Sequence, residues 1–453
     1  MRNCNNSTHR TQPCKRACLH LRTANTLTIL ILTLLTIQTN GQPAVPKPQF
    51  NSFQPVNLPT PQSNFTQLYF QERFLNNPLQ SKQDPNIAFQ NLRIVQQAGM
   101  AIPGQLTNSN KQWQIAELKQ EMAEETKETR KNNIVHFQNY LSQFLQLNPD
   151  NFSVTKAIYL SEAVYYDKPF RYQEFLKAIQ QRAGFAKQIL KQEGLSIKNG
   201  LAVHYSIQKL FAQDNIIHDT KANKDYQIKR LKYDFDDFMG EKDWSKMFVA
   251  KLLQTNSGQC HSLPLLYLCI AEQLNAKANL SLSPNHSFIQ YFDNKGKRKN
   301  FETTNGNLVS INWLMQSNAI SAVAYKNKTY LDTLSSKKLY AQILADLQSS
   351  YLNKNGYDEF SQQLSNKILS IDSTNINALM VNANYTFYMY KDLLKQYNYP
   401  AKEQFVNFPK LQTAFLNSQT AQEKVNQLGF QDMPKEQYEQ WLKSIEREKK
   451  KQK

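Results

Sequence analysis

Glycine is scarce in this sequence, 12 of 453 residues, and with abundant Asn, Gln, Lys and Tyr that scarcity points to a mainly helical chain. Cysteine is nearly as sparse, at five residues. Cys4, Cys14 and Cys18 precede an apolar run from Leu27 to Ile37, which leaves Cys260 and Cys269 beyond it. Those two sit on one helical stretch, too far apart to bridge, so a disulfide framework is excluded and both thiols are free. No cysteine follows the apolar run closely, which argues against a lipoprotein anchor. The run is shorter than the ~20 residues of a comfortable membrane span. Preceded by Arg10, Lys15, Arg16 and Arg22 and followed by Thr39, Asn40 and Gly41, it has the three-part layout of a secretory signal. Residues 1–41 are therefore expected to be a signal peptide or signal anchor. The chain is expected to be exported, periplasmic or secreted, with membrane association through this segment where it is retained.

Acidic residues are in deficit, 36 against 54 Lys and Arg, for a formal charge of +18. A basic balance suggests nucleic acid, but no recognition motif accompanies it. The lysines are dispersed, with runs only at Lys295–Lys299 and in the Lys449–Lys451 tail, as on a solvated basic surface. No specific nucleic-acid partner is expected. The cluster Asp234, Asp236 and Asp237 lacks the Asp/Asn-rich spacing of a calcium loop. With Tyr233, Phe235 and Phe238 beside it, the segment reads as an aromatic anchor carrying solvated carboxylates. Neither a metal nor a cofactor is expected.

A hydrophobic content of 40% argues for packed cores, and the length allows two or three domains. A Pro/Gln-rich linker is expected over 42–65 and helical packing over 66–194. In that region Gln112 to Lys131 forms a charged surface helix. Ile134, Phe137, Tyr140, Leu141, Phe144 and Leu145 mark an amphipathic helix ending before Pro149, and Val154 to Tyr166 another. Beyond 336, Leu339–Leu352, Gly356–Ile371 and Asn377–Tyr397 alternate helix and turn. With Ala378 and Ala383 at helix contacts, this resembles a tetratricopeptide repeat over at most one and a half units, with Phe360 where a small residue is usual. A plain helical bundle is the alternative. Either suits docking of protein or peptide over 336–435, before a basic tail at 436–453.

The densest chemistry lies in Gly258-Gln259-Cys260-His261-Ser262-Leu263-Pro264, Pro284-Asn285-His286 and Phe301-Glu302-Thr303-Thr304. Leu263, Leu266, Tyr267, Ile270 and Leu274 recur at helical spacing, and Pro264 is tolerable only in a first turn, so a helix starts near Cys260. Its unpaired N–H groups and dipole favour an anionic sulfur or an oxyanion. Ala278 to Leu282 reads as a strand, His286 to Phe292 as a second, and Asp293-Asn294-Lys295-Gly296 as the turn into a third. A three-residue loop of Asn294, Lys295 and Gly296 pairs Asp293 with Lys297 and puts His286 and Glu302 on one face; a two-residue loop separates them. Cys260, His286 and Glu302 then supply a nucleophile, its base and the group that orients the base. Taken alone, Cys260 would be core, as Cys269 is expected to be. His261 points about 100° away around the helix and reads as a cap or surface residue.

In order and separation these residues resemble the transglutaminase-like superfamily, a branch of the papain-like cysteine-enzyme fold. Its pattern is Gly-x-Cys at a helix start, a His beginning a strand, and Asp-x-Thr on the next; Glu302 stands where Asp is usual. The resemblance covers about 195–324. It implies an α+β fold, mainly helical, with a core helix packed on a small antiparallel sheet between the flanking helical regions. It implies thiol-dependent acyl transfer, or amide or peptide hydrolysis, on a protein or peptide substrate. By the same resemblance Gln254, six residues before Cys260, is the candidate oxyanion donor beside Cys260 itself. The alternative is an inactive relative that binds an envelope protein through its repeat-like helices, with the Cys260 pocket plugged by Tyr291, Trp313 or a preceding helix.

Overall fold

The computed structural model describes residues 108–219 and 223–430, with scattered positions between 439 and 450. The apolar run, the linker and the start of the helical region expected before residue 108 lie outside the described residues, as does most of the basic tail. The chain is mainly helical, with small, chiefly antiparallel sheets.

Helix α1 spans Asn108–Leu145 without a break, joining the two helical segments that the sequence separates, because neither Pro nor Gly interrupts it. Its second half enters the core through the fully buried Phe137 and Phe144. Helices α2 (Val154–Ala163), α3 (Tyr172–Gln192) and α4 (Gly200–Ala212) follow. A polar hairpin comes next, β1 (Asn215–Asp219) against β2 (Lys224–Ile228). Strand β3 (Lys232–Tyr233) reaches forward to pair in parallel with β4 (Ser257–Gly258). Between them lie a 3₁₀ turn at Trp244–Met247 and helix α5 (Val249–Thr255).

Helix α6 (Ser262–Gln273) is apolar on every side, with Ser262 to Ala271 all buried, the mark of a central helix. It packs on α2, α3, α4 and α5, and on the sheet that follows. That sheet is a four-stranded antiparallel meander: β5 (Asn279–Ser283), β6 (His286–Phe292), β7 (Arg298–Glu302) and β8 (Asn307–Val309). Short helices α7 (Ile311–Ser317) and α8 (Ala322–Lys326) lead to a strap that hydrogen-bonds β5, Leu331 N–H to Leu282 O at 2.8 Å and Leu334 N–H to Leu280 O at 3.1 Å.

Helices α9 (Ser336–Asn355), α10 (Glu359–Ile371), α11 (Ile376–Gln396) and α12 (Pro409–Gln427) close the described chain. Each packs on the next, with Ala378 and Ala383 buried at the helix contacts, and Phe360 buried against Tyr351 at 4.8 Å between ring centroids. Helix α9 also lies along α2, so a single apolar core runs from Phe144 through α6 to Ala378.

Two helices in this core begin on carboxylates borrowed from other helices. Glu272 of α6 accepts the N–H groups of Val154 (2.8 Å) and Thr155 (2.9 Å) at the start of α2. Glu162, near the end of α2, accepts those of Val249 (2.7 Å) and Ala250 (2.9 Å) at the start of α5. In each case the orphan donors of a helix N-terminus are satisfied by a residue far away in sequence.

Candidate active site

Cys260 stands in the turn that feeds α6, two residues before its first residue. The turn is pinned from three directions. Gln259 N–H donates to Ser262 Oγ at 2.9 Å, the Gln259 side-chain amide donates to Asp234 O at 2.8 Å, and Asp234 N–H donates to Gly258 O at 2.8 Å. Pro264 falls at the third helical position, where no intrahelical N–H bond is lost.

Gly258 is required by close approach. A Cβ there would lie 2.7 Å from Ser262 Oγ and 3.0 Å from Leu252 Cδ1, and Ser262 Oγ cannot yield without dropping Gln259 N–H. Gly258→Ala is expected to lower stability by about 1–3 kcal/mol, as overpacking does, and to disturb Cys260 labelling. A denaturation midpoint equal to that of the parent chain would contradict this packing.

His286 opens β6 immediately after a tight turn. Ser283 pairs with His286, leaving Pro284-Asn285 as the two-residue loop; Pro fits its first position, and Asn285, at φ 54°, supplies the left-handed second. The Asn285 carbonyl faces the Cys260 thiol, with Sγ to O at 3.6 Å, and Ser287 Oγ donates to the Cys260 carbonyl at 2.8 Å. The β5–β6 turn thus holds both the imidazole and the cysteine loop.

Glu302 reaches the same place through the β6–β7 hairpin. Asp293 N–H donates to Lys297 O at 3.0 Å around a loop in which Gly296 is left-handed, at φ 73°. Phe292 pairs with Arg298 and Ile289 with Phe301; continuing that register sets Glu302 opposite Phe288, on the face of His286. His286 Nε2 lies 2.6 Å from Glu302 Oε2. The other carboxylate oxygen accepts from Thr304 N–H at 3.0 Å and Thr304 Oγ1 at 2.8 Å. Glu302 is 1% exposed. Burial works against charge on both groups, but the mutual attraction of carboxylate and imidazolium outweighs it. His286, aided also by the nearness of Cys260, is held well above the ordinary histidine value, and Glu302 is held below the ordinary glutamate value. With Nε2 engaged, Nδ1 is the ring nitrogen left for Cys260.

The remaining candidates divide. Cys269 is fully buried, and burial pushes its thiol well above the ordinary range. His261 makes no side-chain cap and instead faces the buried Asp346 carboxylate at 3.5 Å. Gln254 does not join the site: it is exposed on α5, and no hydrogen bond links it to Cys260 among the described residues. Asp234 is engaged by Lys251, and the Asp237 carboxylate accepts the backbone N–H groups of Glu241, Lys242 and Asp243. No group of three metal-ligating side chains occurs among the described residues.

With this geometry in hand, comparison adds little. No protein family and no curated protein matches the chain. Among solved structures it is similar to that of menin, whose description refers to the binding site for Mixed Lineage Leukemia (MLL) protein, over 64% of this chain and 70% of that one, at 11% identity and a TM-score of 0.27. A likeness that loose carries no argument about fold or function.

Sequence reasoning missed Tyr233. Its pairing with Gly258 and its closeness to Cys260 depend on a two-residue parallel bridge that has no signature in the sequence.

Proposed function

We propose that this chain is an exported transglutaminase-like protein that performs thiol-dependent acyl transfer or hydrolysis at a peptide or amide carbonyl. The observation that carries the reading is the buried His286–Glu302 contact at 2.6 Å, which leaves the opposite edge of the imidazole for Cys260. In this reading Cys260 attacks the carbonyl carbon and His286 takes the thiol proton. The same imidazole returns that proton to the departing amine, and Glu302 fixes its orientation and supports its charge. Water or an amine then takes the acyl group from sulfur, which separates hydrolysis from transamidation. No metal or cofactor is needed. The α6 helix and the β5–β8 meander form the catalytic core of the transglutaminase-like domain, and the α9–α12 helices, in a repeat-like arrangement, dock the protein or peptide substrate.

The competing reading, an inactive envelope-binding protein, needs a plug over Cys260, and the two named plugs are occupied elsewhere. Tyr291 stacks on His204 with ring centroids 4.0 Å apart and accepts a hydrogen bond from Gln208 at 2.9 Å. Trp313 packs in the cluster around Phe288 and Leu314. Cys260 itself is half-buried, not sealed.

The test is alkylation of Cys260 by iodoacetamide from pH 5 to 9, in a Cys269→Ala background, followed by mass spectrometry of the Cys260 peptide. At pH 6 the parent is expected to react roughly thirtyfold faster than His286→Ala, because the variant lacks the imidazole that takes the thiol proton. Equal rates in the two proteins would sink the catalytic reading and turn the search toward binding partners.

A further inference from the structure

The bridge that steadies the Cys260 turn also brings a phenol to it. Tyr233 pairs with Gly258, and its ring is fixed by a T-shaped contact with Phe235 at 4.8 Å between centroids. The next residue, Asp234, grips the turn through both its N–H and its carbonyl. Tyr233 is half-buried, and its phenol lies within reach of the charge at the Cys260 sulfur and the Glu302 carboxylate. Burial first, then negative charge at Cys260, Glu302 and Asp234, pushes its ionisation well above the ordinary tyrosine value. It is therefore a protonated donor throughout the neutral range.

Two side-chain donors that flank the cysteine turn are committed. The Gln259 amide is spent on Asp234 O, and Ser287 Oγ on the Cys260 carbonyl. Gln254 lies in solvent. The Tyr233 hydroxyl, by contrast, has no hydrogen bond to any described residue.

We propose that Tyr233 is the side-chain oxyanion donor of this site, giving its O–H to the substrate carbonyl oxygen when Cys260 attacks. The proposal rests on the acyl-transfer reading and gives Tyr233 the role that the family resemblance suggests for Gln254. As the Sγ–C bond forms, the carbonyl π pair moves onto oxygen and the thiol proton passes to His286. The phenol meets the new negative charge with a hydrogen bond that is stronger to the anion than to the ground-state carbonyl. Collapse restores the carbonyl and expels the leaving group, which takes the proton from His286. The phenol keeps its own proton throughout.

Two reactions of one sulfur separate this role from a structural one. Alkylation by iodoacetamide displaces iodide and generates no oxyanion. Acylation by p-nitrophenyl acetate passes through one, and its p-nitrophenolate burst is read after subtracting that of Cys260→Ser. Tyr233→Phe keeps the ring and its packing on Phe235. In the full chain it is expected to slow the ester burst by about 100-fold, the usual effect of losing one oxyanion donor, while alkylation across pH stays within about threefold of the parent. The proposal is overturned if the two reactions slow together, which would make Tyr233 a partner of the sulfur, or if neither changes. It is also overturned if the parent gives no burst while its alkylation still depends on His286, a result that leaves the thiol–imidazole pair standing. Alkylation indifferent to His286 removes the underlying reading and the proposal with it.

Discussion

Glu302→Gln is expected to reduce acyl transfer from Cys260 by about a thousandfold or more, the scale seen when the orienting carboxylate of a triad becomes an amide. The effect comes from the tautomer and needs no loss of shape. The Gln carbonyl oxygen can keep the two bonds from Thr304 that Glu302 Oε1 now accepts. Its NH₂ group then faces His286 Nε2 and donates to it. A neutral imidazole that accepts at Nε2 carries its proton on Nδ1 and presents a donor, not a base, to Cys260. The carboxylate that holds the imidazole above its ordinary value is also gone. Iodoacetamide labelling of Cys260 should fall toward the rate of His286→Ala below neutral pH, with the denaturation midpoint showing that the fold survives. Labelling and ester acylation like the parent's would mean that Glu302 does not orient the base.

A second large effect concerns stability. Burial pushes the Glu162 carboxyl up to about 8, against the pull of the Ala250 and Val249 N–H groups, and the nearby Asp346 raises it further. A folded value above the unfolded one, near 4.5, means that the folded state holds its proton more tightly. This contribution is complete below pH ~4.5 and is lost as pH rises toward about 8. Glu162→Gln removes the titration while keeping an acceptor at the start of α5. The stability difference between parent and variant should therefore change with pH by up to ~1.4 kcal/mol per unit over that window, in the sense of a parent that weakens as pH rises. Taking the difference is necessary because other groups titrate in both proteins. His204, lowered to about 4 by burial beside Tyr267, works in the opposite direction, its contribution being lost as pH falls from 6.5. Urea midpoints at pH 5, 6.5 and 8 supply the measurement; parallel curves would show that Glu162 is not the group responsible.

What the sequence disclosed and what it hid follow the range of the interaction. The β6–β7 register was legible because Asp293 to Lys297 carries its own turn chemistry, with Gly296 at the left-handed position. Pro264 located the start of α6 to within two residues, since a proline in that helix is tolerated only in the first turn. The β1–β2 hairpin was not legible. Apart from Asn215 and Ile217 its described residues lie largely in solvent, so alternation of apolar and polar side chains is weak. Segment 108–145 looked like two helices because its charge pattern changes midway, yet nothing in it breaks hydrogen bonding. In the sequence Tyr233 reads as an aromatic anchor, and only its pairing with a residue 25 positions on brings it toward Cys260. Gln254 illustrates the reverse error, since matched spacing in the chain gave no matched position in space.

The borrowed carboxylates at the starts of α2 and α5 bear on how the cysteine turn opens and closes. Glu272 belongs to the helix that Cys260 precedes, and it completes α2; α2 carries Glu162, which completes α5; and α5 runs into β4 and the turn itself. The dependence forms a chain, so neither α2 nor α5 has a finished beginning without another helix. Such a set exchanges its amide hydrogens as one cooperative unit. The slowest-exchanging amides of α2, α5 and α6 should accordingly share a single opening free energy. Cys260 is thus mounted on an assembly expected not to loosen one helix at a time, and its exposure depends on the surrounding loops and not on local fraying beneath it.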